Sequence, residues 1–272
     1  MNQTLIDIGA NLTGKPFERD REAVIARARE ADVDCMIVTG TDREANQRAL
    51  ELARQWPGVL YATAGVHPHH AHSHNQQDLK EIHALAAQPE VRAVGETGLD
   101  YFRDLSPRRE QQHMFEAHLE IAADTGLPVF LHQREAHADF LPILARHRDR
   151  IPNAVVHCFT GDGEELAAYL DLDLYIGITG WICDERRGLH LRDIVHRISQ
   201  QRIMLETDCP YLLPRDLPDK PRNRRNEPAF LPHILAAVAS ARDEDPATLA
   251  CASTANARRF FGIETNPDNR SL

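Results

Sequence analysis

No two of the five cysteines in this 272-residue chain (35, 158, 183, 209 and 251) form a Cys-x-x-Cys pair. Their odd number argues against a disulfide framework, and their spacing against a zinc ribbon. A reducing cytoplasm is the compartment such a pattern fits. Long hydrophobic runs are missing: nothing approaches the ~18 apolar residues of a membrane span. The opening segment MNQTLIDIG lacks the basic-then-apolar signature of a secretory signal. Positive charge is in deficit, with 31 Lys and Arg against 41 Asp and Glu and a formal charge of −10. Long-range attraction to a polyanion is therefore absent, and a protein that coats duplex DNA is excluded. A local nucleic-acid chemistry built on metal ions and a few arginines stays open. Lysine is scarce, confined to positions 15, 80 and 220; the other basic side chains are arginines, suited to bidentate contacts with phosphate or carboxylate. Aromatic residues are 6% of the chain, which predicts no long stacking platform for a single strand and favours a site that reads an end.

What is present is an alternation. Short runs rich in Val and Ile are read as strands at Thr4–Ile8, Cys35–Thr39, Leu60–Val66, Arg92–Gly95, Pro128–Leu131, Ala154–Val156, Leu174–Ile178 and Arg202–Leu205. Segments of helical period lie between and after them, near Glu18–Ala31, Arg43–Gln55, Gln77–Ala87, Pro107–Thr125, Ala136–His147, Glu164–Leu170, Leu189–Ser199, Ala229–Ala241 and Pro246–Phe260. Eight strands alternating with helices predict an α/β fold of the (β/α)8 TIM-barrel class, a single domain over 1–272, since such barrels take ~250 residues. The competing doubly wound sheet would carry Gly-x-Gly-x-x-Gly after its first strand, and this chain does not.

In such a barrel, chemistry gathers where the strands end. Here VRAVGE ends in Glu96, PVFLH in His132, AVVH in His157, RIMLETD in Asp208 and YATAGVH in His67. Any one of these alone reads as well as a cap or a satisfied core residue. Four ionisable groups at one rim are different, because they repel or desolvate one another unless a cation or a hydrogen-bond network compensates. Two imidazoles and two carboxylates suit Zn²⁺ or Mn²⁺; Mg²⁺ is compatible but prefers oxygen.

These segments resemble the TatD family of metal-dependent deoxyribonucleases, within the amidohydrolase-like barrels. The matching stretches are GVHPH (65–69), GETGLDY (95–101), LHQR (131–134), HCFTG (157–161), ETDCPYL (206–212), RNEP (225–228) and the NARRFFG run near the end, in the family's order. GITGWICDERRG (177–188) lies nearest the branch that gives the family its name. The chain departs from the family in one place. Most members carry His-x-His at the end of strand one, whereas IDIGANL puts Gly9 and Asn11 there, so a complete two-metal site is in question.

The resemblance implies a 3′→5′ exonuclease acting on single-stranded DNA, and on RNA too, with Mg²⁺ in solution and one or two ions bound. DNA repair and DNA degradation during cell death are the processes it suggests. Glu96, His132, His157 and Asp208 are the expected metal residues, with Glu96 and Asp208 as catalytic carboxylates and Asp208 the general base. His67, Arg134 and Arg225 are expected to bind substrate phosphate; Arg225 serves equally well as a brace paired with Glu227. In HPHHAHSH (67–74), histidines beyond 67 and 69 are expected in solvated loop, and Cys158 and Cys209 are expected to point away from the site by strand alternation. Arg186, Arg187 and the 220–225 run would guide a strand or form solvated surface. The rival reading is a metal-dependent amidohydrolase or lactonase for a small molecule. Against it, the modified lysine that bridges many dinuclear members has no counterpart here, since Glu96 stands at that position. No coiled-coil heptad is evident, so a monomer without membrane attachment is expected.

Overall fold

The near-continuous aliphatic runs form strands buried on both faces, as parallel strands covered by helices must be. The computed structural model describes residues 4–264; the single-domain expectation for 1–272 extends at both ends outside the described residues. Strands β1 (Leu5–Ala10), β2 (Val33–Val38), β3 (Leu60–Ala64), β4 (Val91–Asp100), β5 (Val129–Arg134), β6 (Ala154–Val156), β7 (Tyr175–Ile178) and β8 (Ile203–Leu205) pair in consecutive order, every pair parallel. Helices α1 (Arg21–Glu30), α2 (Arg43–Gln55), α3 (Gln76–Ala86), α4 (Arg108–Thr125), α5 (His137–His147), α6 (Gly163–Asp171), α7 (Leu189–Ile194), α8 (Leu231–Ala241) and α9 (Pro246–Phe261) connect and follow them. The sheet closes where Ala10 bridges Cys209 in parallel. There the Asn11 N–H donates to the Cys209 carbonyl at 2.9 Å, and the Asp208 N–H to the Gly9 carbonyl at 2.9 Å. This is the (β/α)8 barrel the alternation predicts.

Two apolar layers hold it. Ile6, Ile8, Cys35, Ile37, Ala93, Phe130, Val155, Tyr175 and Met204 fill the barrel, and Phe260 and Phe261 of α9 join that cluster. Phe260 meets Tyr175, the first residue of β7, with ring centroids 5.3 Å apart. Asn256 fixes the helix by donating to the carbonyls of Gln200 (2.7 Å) and Ile203 (2.9 Å) at the start of β8. The NARRFF run is thus a plug over the barrel floor, which leaves the opposite rim for chemistry. The outer layer packs strand residues such as Met36 and Leu131 under helix residues such as Phe115 and Leu144.

The element boundaries differ from expectation in three informative places. Strand β4 does not stop at Gly95 but runs to Asp100, and β5 runs to Arg134, with Gly98 opposite His132 and Asp100 opposite Arg134. Glu96 and His132 therefore lie inside strands rather than after them. The first helix starts at Arg21 and not near Glu18, because Pro16 begins a short 3-10 turn at Lys15–Phe17. The helix expected over Leu189–Ser199 ends at Ile194 and tightens into a 3-10 turn, Val195–Arg197. Its terminal carbonyls are taken by Arg242, whose Nη1 donates to Val195 and Ile198 at 2.7 Å each.

Gly98 holds the extended rim together. Its φ of +137° suits glycine, and an added Cβ would overlap the His132 carbonyl oxygen across the ladder. Gly98→Ala should lower unfolding free energy by about 1–3 kcal/mol, read as a lower midpoint in urea denaturation; an unchanged midpoint would contradict this packing.

Candidate metal centre and active site

Three imidazoles converge on one carboxylate oxygen. Glu96 Oε1 lies 2.7 Å from His157 Nε2, 3.0 Å from His132 Nδ1 and 3.3 Å from His67 Nε2. The β4–β5 register shifts between Val94 and Thr97, so Glu96 occupies an irregular step of the ladder, where bulges commonly re-aim side chains at active sites. Glu96 is buried, and burial acts against ionisation. The charge of His157 and the hydrogen bonds from His132 and His157 outweigh it, holding the Glu96 carboxyl well below its usual range.

A second tier of carboxylates orients the imidazoles. Asp100 Oδ2 lies 3.1 Å from His132 Nε2 and 2.9 Å from His69 Nε2; burial opposes its charge, but these two hydrogen bonds prevail and hold it far below the usual range. Glu206, fully buried, lies 3.3 Å from His157 Nδ1 and accepts the Cys158 N–H. His157 is thereby held between Glu96 and Glu206. Burial disfavours its cationic form, yet the two carboxylates raise it well above the normal imidazole range. A proton on Nδ1 directed at Glu206 leaves Nε2 free to exchange its own proton for a metal ion. His67 behaves differently. Its Nδ1 accepts the His69 N–H at 3.1 Å, so its single proton sits on Nε2, facing Glu96. Burial pushes it down to about 4, and it acts as a neutral hydrogen-bond donor.

The closure of the barrel brings in Asp208. Its backbone adopts φ +53°, Asn11 Nδ2 donates to its Oδ1 at 3.0 Å, and burial pushes its carboxyl up to about 7. The altered His-x-His segment has a structural counterpart. A side chain at Gly9 would overlap the Glu206 carboxylate, and Asn11 spends its amide on Asp208. Hydrogen-bonding groups thus fill the space where most of the family is expected to carry imidazoles.

Glu96, His132, His157, Asp208, His67 and Arg134 all line one cavity of about 650 Å³, within the usual size of a small-molecule or nucleotide site. Arg225 does not line it. Its guanidinium meets Asp20 (2.7 and 2.8 Å) and Glu227 (2.6 Å) and donates to the Pro16 carbonyl, with Phe17 beneath it. Of its two expected roles, these partners fit the brace, and the cavity lining offers no place for the phosphate contact. Cys158 also departs from expectation: it lines the cavity, because φ +46° breaks the alternation that would have turned it away. Cys209 is buried as expected. Past His69, His72 pairs with Ser106 at 2.8 Å and His74 with the His70 carbonyl at 2.9 Å, so these histidines are loop braces.

Asp100 and Glu206 were not singled out from sequence, although both stand in matched stretches; a carboxylate four residues past Glu96, on the same strand, was the available signal. The arginine–aromatic arrangement at the cavity was equally illegible. Arg134 lies 3.8 Å over Phe102 and 5.6 Å from the Trp181 ring, and Arg187 lies 4.3 Å from that same indole. Phe102, Trp181 and Tyr211 line the cavity, Phe102 half exposed and Tyr211 more than half. The low overall aromatic content predicts no platform; the fold concentrates three rings at the one place that matters. Arg186 and Arg187 both pair with Asp184 at 3.1 Å.

The donor set fits a divalent ion. Glu96, His132 and His157 meet at one carboxylate oxygen, His67 stands beside them with its ligand atom within 4.8 Å of those of Glu96 and His132, and mixed imidazole and carboxylate donors suit Zn²⁺ or Mn²⁺ best. Among the described residues no helix is long and apolar enough to cross a membrane.

Comparison with known proteins gives a consistent result. The profile described as TatD related DNase matches residues 6–262. The chain is 50% identical over 262 residues to the 3′-5′ ssDNA/RNA exonuclease TatD of Klebsiella pneumoniae, covering 96% of this chain and 99% of that protein. It is 52% identical over 257 residues to the protein of the same name from Dickeya dadantii, covering 94% and 97%. Among solved structures, a TatD homologue from Escherichia coli K12 superposes with a TM-score of 0.89 at 30% identity, covering 97% of this chain and all of that one.

Because Asp100 holds both His132 and His69, Asp100→Asn should weaken divalent-ion binding about 10–100-fold, the usual effect of removing an outer partner of a ligand. Titration calorimetry with Mn²⁺ on the chelator-treated protein measures it, and unchanged affinity would show that Asp100 does not orient a ligand.

Proposed function

The chain belongs to the TatD-related DNase family, and from that membership we propose that it is a metal-dependent exonuclease removing nucleotides 3′→5′ from single-stranded DNA and RNA. The observation that carries this reading is the meeting, in one cavity, of the carboxylate–imidazole cluster around Glu96 with the Arg134–Phe102–Trp181–Arg187 ladder. The cluster supports hydrolysis. The ladder supports a substrate with both flat rings and anionic links, which describes a single strand.

We assign Glu96, His132, His157 and Asp208 to the ion. When bound, a divalent cation supplies Lewis acidity, polarising a phosphoryl oxygen and acidifying water. Asp208 accepts the proton of the attacking water as the general base. Asn11 fixes its orientation through the 3.0 Å hydrogen bond to Oδ1. His67 presents an N–H toward the reacting group, and Arg134, whose guanidinium already stacks on Phe102, donates to a phosphate oxygen. Exposed Phe102 and Tyr211 stack on terminal bases, so the strand end is held while the next linkage reaches the water. The cavity's limited size favours an end over a long tract.

Mg²⁺ is the ion we assign to activity, with Zn²⁺ or Mn²⁺ compatible with the nitrogen donors. One or two ions are the number we assign, and Gly9 and Asn11 offer no imidazole to a second. A cytoplasmic monomer serving DNA repair is the setting we infer, and the five free cysteines fit a reducing compartment.

A digestion time course on 5′-labelled single-stranded DNA, with EDTA, Mg²⁺, Mn²⁺ or Zn²⁺, tests the reading. Stepwise, metal-dependent shortening from the 3′ end is expected, absent in Glu96→Ala. Asp208→Asn should lower kcat about 10²–10⁴-fold with ion content largely retained. Arg134→Ala should raise KM for the oligonucleotide about tenfold, the loss of one charge-assisted hydrogen bond. No nucleolysis with any ion, despite confirmed binding, would move the assignment to a small-molecule amide or ester hydrolase.

A further inference from the structure

Behind the wall that carries Trp181 and Leu212, a second group of donors converges from three separate segments. Cys183 ends the 3-10 turn after β7, Asp216 lies in the long loop after β8, and His233 sits in the first turn of α8. The Cys183 sulfur, an Asp216 oxygen and a His233 nitrogen all lie within 4.8 Å of one another. His233 Nε2 is 2.7 Å from Asp216 Oδ1. None of the three lines the catalytic cavity.

We propose that Cys183, Asp216 and His233 form a separate zinc site that staples the loop after β8 to the β7 turn and to α8. The donor chemistry selects the ion. Thiolate, imidazole and carboxylate together suit Zn²⁺, whereas Mg²⁺ and Ca²⁺ take oxygen ligands. A thiolate and a carboxylate balance the charge of one divalent ion. Cys183 is buried while Asp216 is exposed and His233 half-buried, so the ion has an entry path and water can complete a tetrahedral set. Arg192 lies 3.8 Å from Asp216 Oδ2, beyond hydrogen-bond length. Arg215 is engaged by Asp184 and Glu185, and Oδ1, now facing His233 Nε2, would turn to the ion together with that nitrogen. Binding releases the Cys183 thiol proton to solvent, and the His233 Nε2 proton that faces Asp216 is given up to solvent while Nδ1 takes one up, so that Nε2 ligates. The site matters to function by position. The segments it joins carry Trp181, Tyr211 and Leu212, which line the cavity, and Asp208 begins the same loop.

Cobalt tests this directly, because a thiolate ligand gives Co²⁺ a near-ultraviolet charge-transfer band that nitrogen and oxygen ligands do not. The full-length protein is stripped with chelator and titrated with Co²⁺. The band is expected in wild type and in Cys158→Ser, which removes the thiol that lines the catalytic cavity. It should vanish in Cys183→Ser and fall at least tenfold in apparent affinity in His233→Gln, a half-buried position whose fold is checked by circular dichroism. In parallel, Zn²⁺ should raise Tm in Glu96→Ala, where the catalytic cluster is broken, and not in Glu96→Ala/Asp216→Asn. A band absent from the wild type, or one surviving Cys183→Ser or undiminished in folded His233→Gln, overturns the proposal. So does a Zn²⁺-dependent Tm rise that persists in the double variant. Neither result depends on nuclease activity, so the two assignments fail separately.

Discussion

A single oxygen atom, Glu96 Oε1, organises the reactive end of this molecule. Three imidazole nitrogens approach it within 3.3 Å, and each histidine is held from its other side by a different partner. Asp100 holds His132, Glu206 holds His157, and the His69 backbone holds His67. Removing a buried charge from such a set leaves its partners uncompensated, which is why a carboxylate at this point is more consequential than its one-residue size suggests. The three outer partners also differ in kind, two anionic and one a backbone donor. That difference sorts the histidines into two that can exchange a proton for an ion and one that keeps its proton.

The barrel makes this possible through its two ends. At the floor, Phe260 and Phe261 fill the interior, so the strands need not narrow to exclude water there. At the rim, β4 and β5 extend beyond their aliphatic cores, and polar residues continue the ladder because buried partners satisfy them. The closure between β1 and β8 has its own polar lock. Asp7 is fully buried and accepts the N–H groups of Gly9 (3.2 Å) and Thr207 (2.9 Å) as well as the Thr207 hydroxyl. That lock sets the backbone on both sides of Asp208, and Asp208 enters the cavity as a consequence of closure.

The departure at positions 9 and 11 is a change of chemistry within an unchanged frame. Glu206 fills the volume a side chain at position 9 would need, and Asn11 turns its amide to Asp208. The result is one compact cluster flanked by hydrogen-bonding groups, with aromatic and arginine side chains along the same cavity.

The alternation of aliphatic runs with helical segments was enough to determine the barrel, because burial on both faces of a parallel strand leaves a signature in every strand independently. The rim residues were legible for the same reason: Glu96, His132, His157 and Asp208 each follow an aliphatic run, and all four reach one cavity. What no linear reading could supply was the network among them. Asp100 and Glu206 act across 32 and 49 positions, on His132 and His157 respectively, and a hydrogen bond of that separation has no local trace. Arg225 illustrates the same limit. Its motif was equally consistent with phosphate and with Glu227, and the choice fell to Asp20 and Pro16, some 205 and 209 residues away. Strand ends and their residue types follow from local burial; which charge neutralises which is decided only when the barrel closes and distant groups come to share one low-dielectric space.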